Sequence, residues 1–65
     1  MNDEYLVAAL AKIPDRRILV HVASQRCREL TRSSAPMVPV HPGEAHVDIA
    51  LREIADGKLY YEEAS

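Results

Sequence analysis

An all-α fold, a small bundle of three helices, is predicted for this 65-residue chain by three observations. Apolar residues recur at three-and-four spacing in three segments, the pattern that gathers side chains on one face of a helix. Each segment is bounded by residues that cap or break helices. Between the second and third segments lies a stretch with three prolines and a glycine, which cannot be helical throughout.

The first helix is expected over residues 3–13, with Leu6, Ala9, Leu10 and Ile13 on one face and Asn2 or Asp3 placed to cap it. Pro14 stops it, because a residue before proline is biased away from helical dihedrals. Asp15 then serves as N-cap of a second helix over residues 16–32, so the two helices meet at a tight corner.

Leu19, Val20, Ala23, Cys27 and Leu30 make the main stripe of that second helix, widened by Ile18 and Val22. Each Leu or Val fully buried there contributes ~1.5–3 kcal/mol before chain entropy is subtracted, so the stripe supplies much of the core. Arg17, His21, Ser24, Gln25, Arg28 and Arg32 make the opposite face. Arg16 and Arg17 lie in the first turn, where the helix dipole disfavours cations; they are either solvated or meet an acidic or phosphate-bearing partner. Arg26 borders the apolar stripe, so its stem should pack while its head seeks a carboxylate or a backbone carbonyl.

Residues 33–45 contain Pro36, Pro39, Pro42 and Gly43 and read as an extended loop. Met37, Val38 and Val40 make it too apolar for a plain linker, and it is expected to lie against a surface of this chain or of a partner. The third helix spans about residues 46–56, with Val47, Ala50, Leu51 and Ile54 on its inner face and an Asp48–Arg52 pair at a favourable spacing. Gly57 ends it by taking the left-handed conformation, and Lys58 suits the negative end of the dipole. Ile49 points away from the inner stripe, between Glu53 and Asp56. It is either a simple exposed residue or a second apolar contact. A short C-terminal tail, residues 58–65, with two adjacent tyrosines completes a single domain.

A chain this short buries only a thin core and needs support from close packing, self-association or a larger partner; docking on a partner is the expectation. One cysteine, Cys27, excludes an intramolecular disulfide, and no paired Cys/His spacing suggests structural zinc. Inside the apolar stripe Cys27 acts as a small hydrophobe. No apolar run approaches the ~20 residues of a membrane span. Asn2, Asp3 and Glu4 are unlike a basic signal-peptide start, so a cytoplasmic location is expected.

His41 and His46 flank a Pro-Gly turn but lack a third ligand on a rigid frame, and no metal is expected. No Gly-rich phosphate loop and no local Ser, His and acid motif is present, so catalysis and a cofactor are not expected. The net charge of −2 is unevenly spread: residues 1–42 carry six Lys/Arg against four Asp/Glu, and residues 43–65 two against six. Such asymmetry marks a partner surface or two halves that attract each other.

Taken together, Asp15-Arg16, the run Leu19-Val20-His21-Val22-Ala23-Ser24-Gln25-Arg26-Cys27-Arg28, the proline-containing loop and Ile49-Ala50-Leu51-Arg52-Glu53-Ile54 with Gly57 resemble the omega subunit of bacterial RNA polymerase. That family typically has Asn-Arg-aromatic at the start of its second helix, a Leu-Val-x-Val-Ala-Ala run leading into Arg-Ala-Arg, and an Ala-Leu-Arg-Glu-Ile helix. Asp15 stands here where Asn is usual, Arg17 where an aromatic is usual, Cys27 where Ala is usual, and His46 where a Pro often precedes the helix.

The resemblance implies a non-catalytic accessory subunit that binds the RNA polymerase core, chiefly its largest, beta-prime subunit, and promotes assembly and stability. It also implies partner-binding roles for Arg16, Arg26, Arg28, Ile49, Ala50, Leu51, Arg52, Glu53 and Ile54. No sequence-specific nucleic-acid binding and no small-molecule ligand are expected. In particular, Asp3 and Glu4 would repel guanosine tetraphosphate, which some family members bind through their N-terminus, and Lys12 is the only nearby cation. The competing class is a small nucleic-acid-binding or other interaction module, with residues 16–32 as a basic helix carrying five arginines against one acid.

Overall fold

The structure, a computed structural model, describes residues 1–59; the predicted tail beyond Leu59 lies outside the described residues. Three helices follow one another, α1 (Asp3–Lys12), α2 (Arg16–Thr31) and α3 (His46–Ala55), with no strand among the described residues.

Local chemistry accounts for most helix ends. The Asn2 side chain accepts from the Glu4 N–H at 2.9 Å and caps α1. Ile13 is extended (φ −124°), as a residue before proline should be, and α1 stops there. Asp15 Oδ1 accepts from the N–H groups of Arg17 and Ile18 at 2.9 and 3.3 Å, satisfying two of the donors a helix start leaves orphaned.

Both later helices end in Schellman motifs. After α3, Gly57 sits at φ +72°, with the Lys58 N–H on the Glu53 carbonyl at 2.8 Å and the Gly57 N–H on that of Ile54 at 3.0 Å. After α2 the same pattern runs from Ser34 to Glu29 (3.1 Å) and Ser33 to Leu30 (3.3 Å), but the left-handed position, φ +94°, is held by Ser33. A side chain is disfavoured there. The start of α3 is also weakly specified, since Ala45 supplies no side-chain cap. Instead Asp48 in its first turn accepts from the Asn2 backbone N–H at 2.8 Å, tying the beginning of the chain to α3.

α3 is the central element. It packs against both α1 and α2, which have little contact with each other. Ile49, Ala50, Leu51, Glu53 and Ile54 are all buried, so α3 is enclosed on almost every side, the pattern of a core helix rather than a surface one. Ala9 of α1, Ile13 just after it, and Leu19, Val22, Ala23 and Leu30 of α2 share one core with it, with Val38 added from the loop.

Three expectations are corrected by this packing. Ile49 is 3 % exposed and belongs to the core, not to a free far face. The apolar stripe of α2 is rotated toward Val22 and Arg26, because that side meets α3; Val20 is left 52 % exposed and Cys27 only half-buried. Arg52 pairs with Glu44 at 2.8 Å and not with Asp48, which is committed to Asn2.

Residues 32–45 form neither helix nor strand. Val38 tucks into the core, whereas Met37 and Val40 stay exposed.

Candidate partner-binding surface

The polar groups at the centre of the molecule decide which residues remain available to a partner. Arg26 on α2 and Glu53 on α3 form a buried, two-pronged ion pair: Nε donates to Glu53 Oε1 at 2.6 Å and Nη2 to Oε2 at 3.1 Å. Glu53 is fully buried. Such a carboxylate is tolerated only when its lone pairs are filled, and here the Met37 N–H supplies a third donor at 2.8 Å. The remaining guanidinium donors reach Glu29 Oε1 at 3.1 Å and the Ala35 carbonyl at 3.0 Å. The hydrogen bond that Arg26 donates to Glu53 raises the Arg26 pKa against the opposing effect of burial. Two helices and the loop after α2 are thereby locked by one pair, and Arg26, expected to meet a carboxylate or a backbone carbonyl, meets both.

A second cluster sits at the start of α3. The Glu44 side chain is only 6 % exposed; its Oε1 accepts from Arg52 at 2.8 Å and from the His41 backbone N–H at 3.1 Å. Burial pushes the Glu44 pKa up, but the His41 and Arg52 contacts outweigh it and the value lies below the usual one. Glu44 Oε2 is buried with no hydrogen-bond partner among the described residues. Arg52 also stacks over the Tyr5 ring, 5.7 Å from its centre, which connects the cluster to α1.

Of the nine residues singled out from the sequence, Arg26, Ile49, Ala50, Leu51, Glu53 and Ile54 are therefore enclosed by this chain's own helices. Arg52 is largely taken up by Glu44 and Tyr5. Only Arg16 and Arg28 stand in solvent. Burial of Ile49 was missed because Glu53, four residues on and on the same side of α3, reads as a solvent-facing charge. The missing signal was the partner of Arg26: a carboxylate that neutralises a buried guanidinium marks a covered face, not a wet one.

The surface left open lies on α2. Arg17, His21, Ser24, Gln25, Arg28 and Arg32 are all exposed, and among the described residues none of the arginines at 16, 17, 28 and 32 has a carboxylate partner. Beside this basic face runs an apolar groove of about 140 Å³, lined by Leu6, Leu19, Val20, Val47 and Leu51 with Arg16 at its edge. A second hollow of about 360 Å³ opens at the α1–α2 corner beneath Leu59. Among the described residues no three of His, Cys, Asp and Glu come together in a metal-binding arrangement. Among the same residues no helix is long and apolar enough to cross a membrane.

Comparison with known proteins adds a family to this geometry. The family described as RNA polymerase Rpb6 matches residues 8–61, which take in the second half of α1 and all of α2 and α3. The chain is similar to the DNA-directed RNA polymerase subunit omega of Heliobacterium modesticaldum, with 39 % identity over 64 residues, 98 % of this chain and 93 % of the relative. It is similar to the omega subunit of Geobacter metallireducens at 38 % identity, covering 82 % of this chain and 77 % of the relative. The Clostridium botulinum omega subunit is 35 % identical, with 94 % and 83 % covered. No solved structure matches the chain significantly.

Proposed function

Because this chain belongs to the RNA polymerase Rpb6 family and matches omega subunits over most of their length, we propose that it works in the cytoplasm as a non-catalytic accessory subunit. Its partner is the RNA polymerase core, chiefly the beta-prime subunit, whose folding and assembly it assists. The observation that carries this reading is the extent of the match: the family covers residues 8–61, with all of α2 and α3 and both halves of the Arg26–Glu53 lock. The thin core agrees with it, since a 65-residue chain whose single cysteine excludes an internal disulfide gains stability by docking.

In this role the enclosed residues Arg26, Ile49, Ala50, Leu51, Glu53 and Ile54 hold the helices in place, while Arg16 and Arg28 reach outward to the partner. Affinity purification from the native cell tests the proposal. The expected result is stoichiometric recovery of polymerase core, with cross-links to its largest subunit. Recovery of a different protein as the sole stoichiometric partner, with no polymerase present, overturns it.

A further inference from the structure

We propose that the outer face of α2, together with the apolar groove beside it, is the docking surface for an acidic protein segment that inserts one large apolar side chain. The inference rests on the polymerase-subunit reading and specifies the chemistry of the partner segment. Arg17, Arg28 and Arg32 share a narrow arc of the helix with His21 and Ser24, and the outer arginines are about 22 Å apart along the axis at ~1.5 Å per residue. This chain does not neutralise that stripe with its own described acids. Glu29 and Glu53 are bound to Arg26, Glu44 to Arg52, and Asp15 and Asp48 to backbone N–H groups.

The groove commits the partner further. Val20 is exposed at its rim and Leu6, Leu19, Val47 and Leu51 line it. Its volume of about 140 Å³ is close to the ~150 Å³ apolar cavity that holds a benzene molecule, so one Leu-, Met- or Phe-sized side chain fits. A nucleic-acid backbone has charge for the stripe but no apolar group for the groove. Arginine rather than lysine on every exposed basic position of the helix suits planar pairing with carboxylates. Charge on one strip and an apolar socket next to it describe a protein segment with carboxylates flanking a hydrophobic anchor.

The test titrates labelled full-length chain into polymerase core stripped of it. Four proteins are compared: wild type, Val20→Glu, a combined Arg17→Gln, Arg28→Gln, Arg32→Gln variant, and Ala11→Glu, which places the same new charge on the exposed side of α1. The expected result is a loss of affinity of roughly tenfold or more for the first two variants, with Ala11→Glu binding like wild type. Raising the salt concentration should weaken wild type more than the arginine variant. Circular dichroism checks that helicity is retained; should Val20→Glu lose it, the arginine variant alone decides. Variants that bind core within about twofold of wild type overturn this inference while leaving the subunit reading intact. A wild-type chain that does not bind core overturns that reading, and this one with it. Duplex DNA binding that the arginine variant abolishes while core binding persists assigns the face to nucleic acid instead.

Discussion

Replacing Glu53 with alanine should remove most of the stability of the free chain. The Glu53 carboxylate accepts three hydrogen bonds, from Arg26 Nε and Nη2 and from the Met37 N–H, in a site with no solvent access. Its loss leaves the Arg26 guanidinium buried with only Glu29 and the Ala35 carbonyl, and strands the Met37 N–H. Breaking a buried pair by removing one partner costs about 3–5 kcal/mol. A chain of this length has a total stability of roughly 3–10 kcal/mol at ~0.05–0.15 kcal/mol per residue. The melting temperature should fall by roughly 12–40 °C, at ~4–8 °C per kcal/mol for a domain of this size.

Urea unfolding followed by circular dichroism measures the loss, and a double-mutant cycle isolates its cause. Arg26→Met and Glu53→Leu should each be severely destabilising alone. Combined, they should recover much of the loss, because no uncompensated charge is then left in the core. The reasoning is refuted if either single variant loses less than ~1 kcal/mol, the scale of an exposed pair, or if the double variant loses the sum of the two singles.

Ile49→Asp should unfold the isolated chain, losing ~1.5–3 kcal/mol of burial and placing an unpaired carboxylate in the core; unchanged helicity would place Ile49 at the surface after all. Ser33→Gly should stabilise by roughly 0.5–1 kcal/mol, the ~1–2 kcal/mol cost of a side chain in the left-handed region less the ~0.4–1 kcal/mol of added unfolded-chain entropy. A denaturant midpoint that falls would contradict it. Glu44, whose pKa is lowered in the folded chain, contributes stability that is full above its ordinary value of 4.5 and is lost as pH falls through the lower folded value. Stability measured between neutral pH and pH ~3 should therefore decline less steeply in Glu44→Gln than in wild type, and identical slopes would rule out the Arg52–Glu44 linkage.

Helix count, and the helix ends at Pro14, Asp15 and Gly57, were legible in the sequence because they are set by neighbours in the chain. Spacing of apolar residues marks a helix within a few turns, Asp15 caps the amides immediately after it, and Gly57 turns the backbone that immediately precedes it. Even the need of Arg26 for a carboxylate or a carbonyl was readable, since burial of its stem beside Leu19 and Ala23 is a local matter. The family, too, was legible, because it rests on order and spacing along the chain.

Tertiary structure alone decided what was core and what was surface. A helical wheel gives directions around an axis, but not how many neighbours enclose it. α3 is flanked by α1, α2 and the loop, so Ile49 and Glu53, which read as outward, are interior, and the stripe of α2 is rotated until Val20 stands in solvent. The identity of the carboxylate on Arg26, 27 residues away, follows from the same packing. Glu53 looks wet in sequence because an isolated carboxylate must be hydrated; it is dry in the fold because a guanidinium and an amide replace that water. That replacement depends on residues distant in the chain, so it has no signature in the spacing of α3 itself.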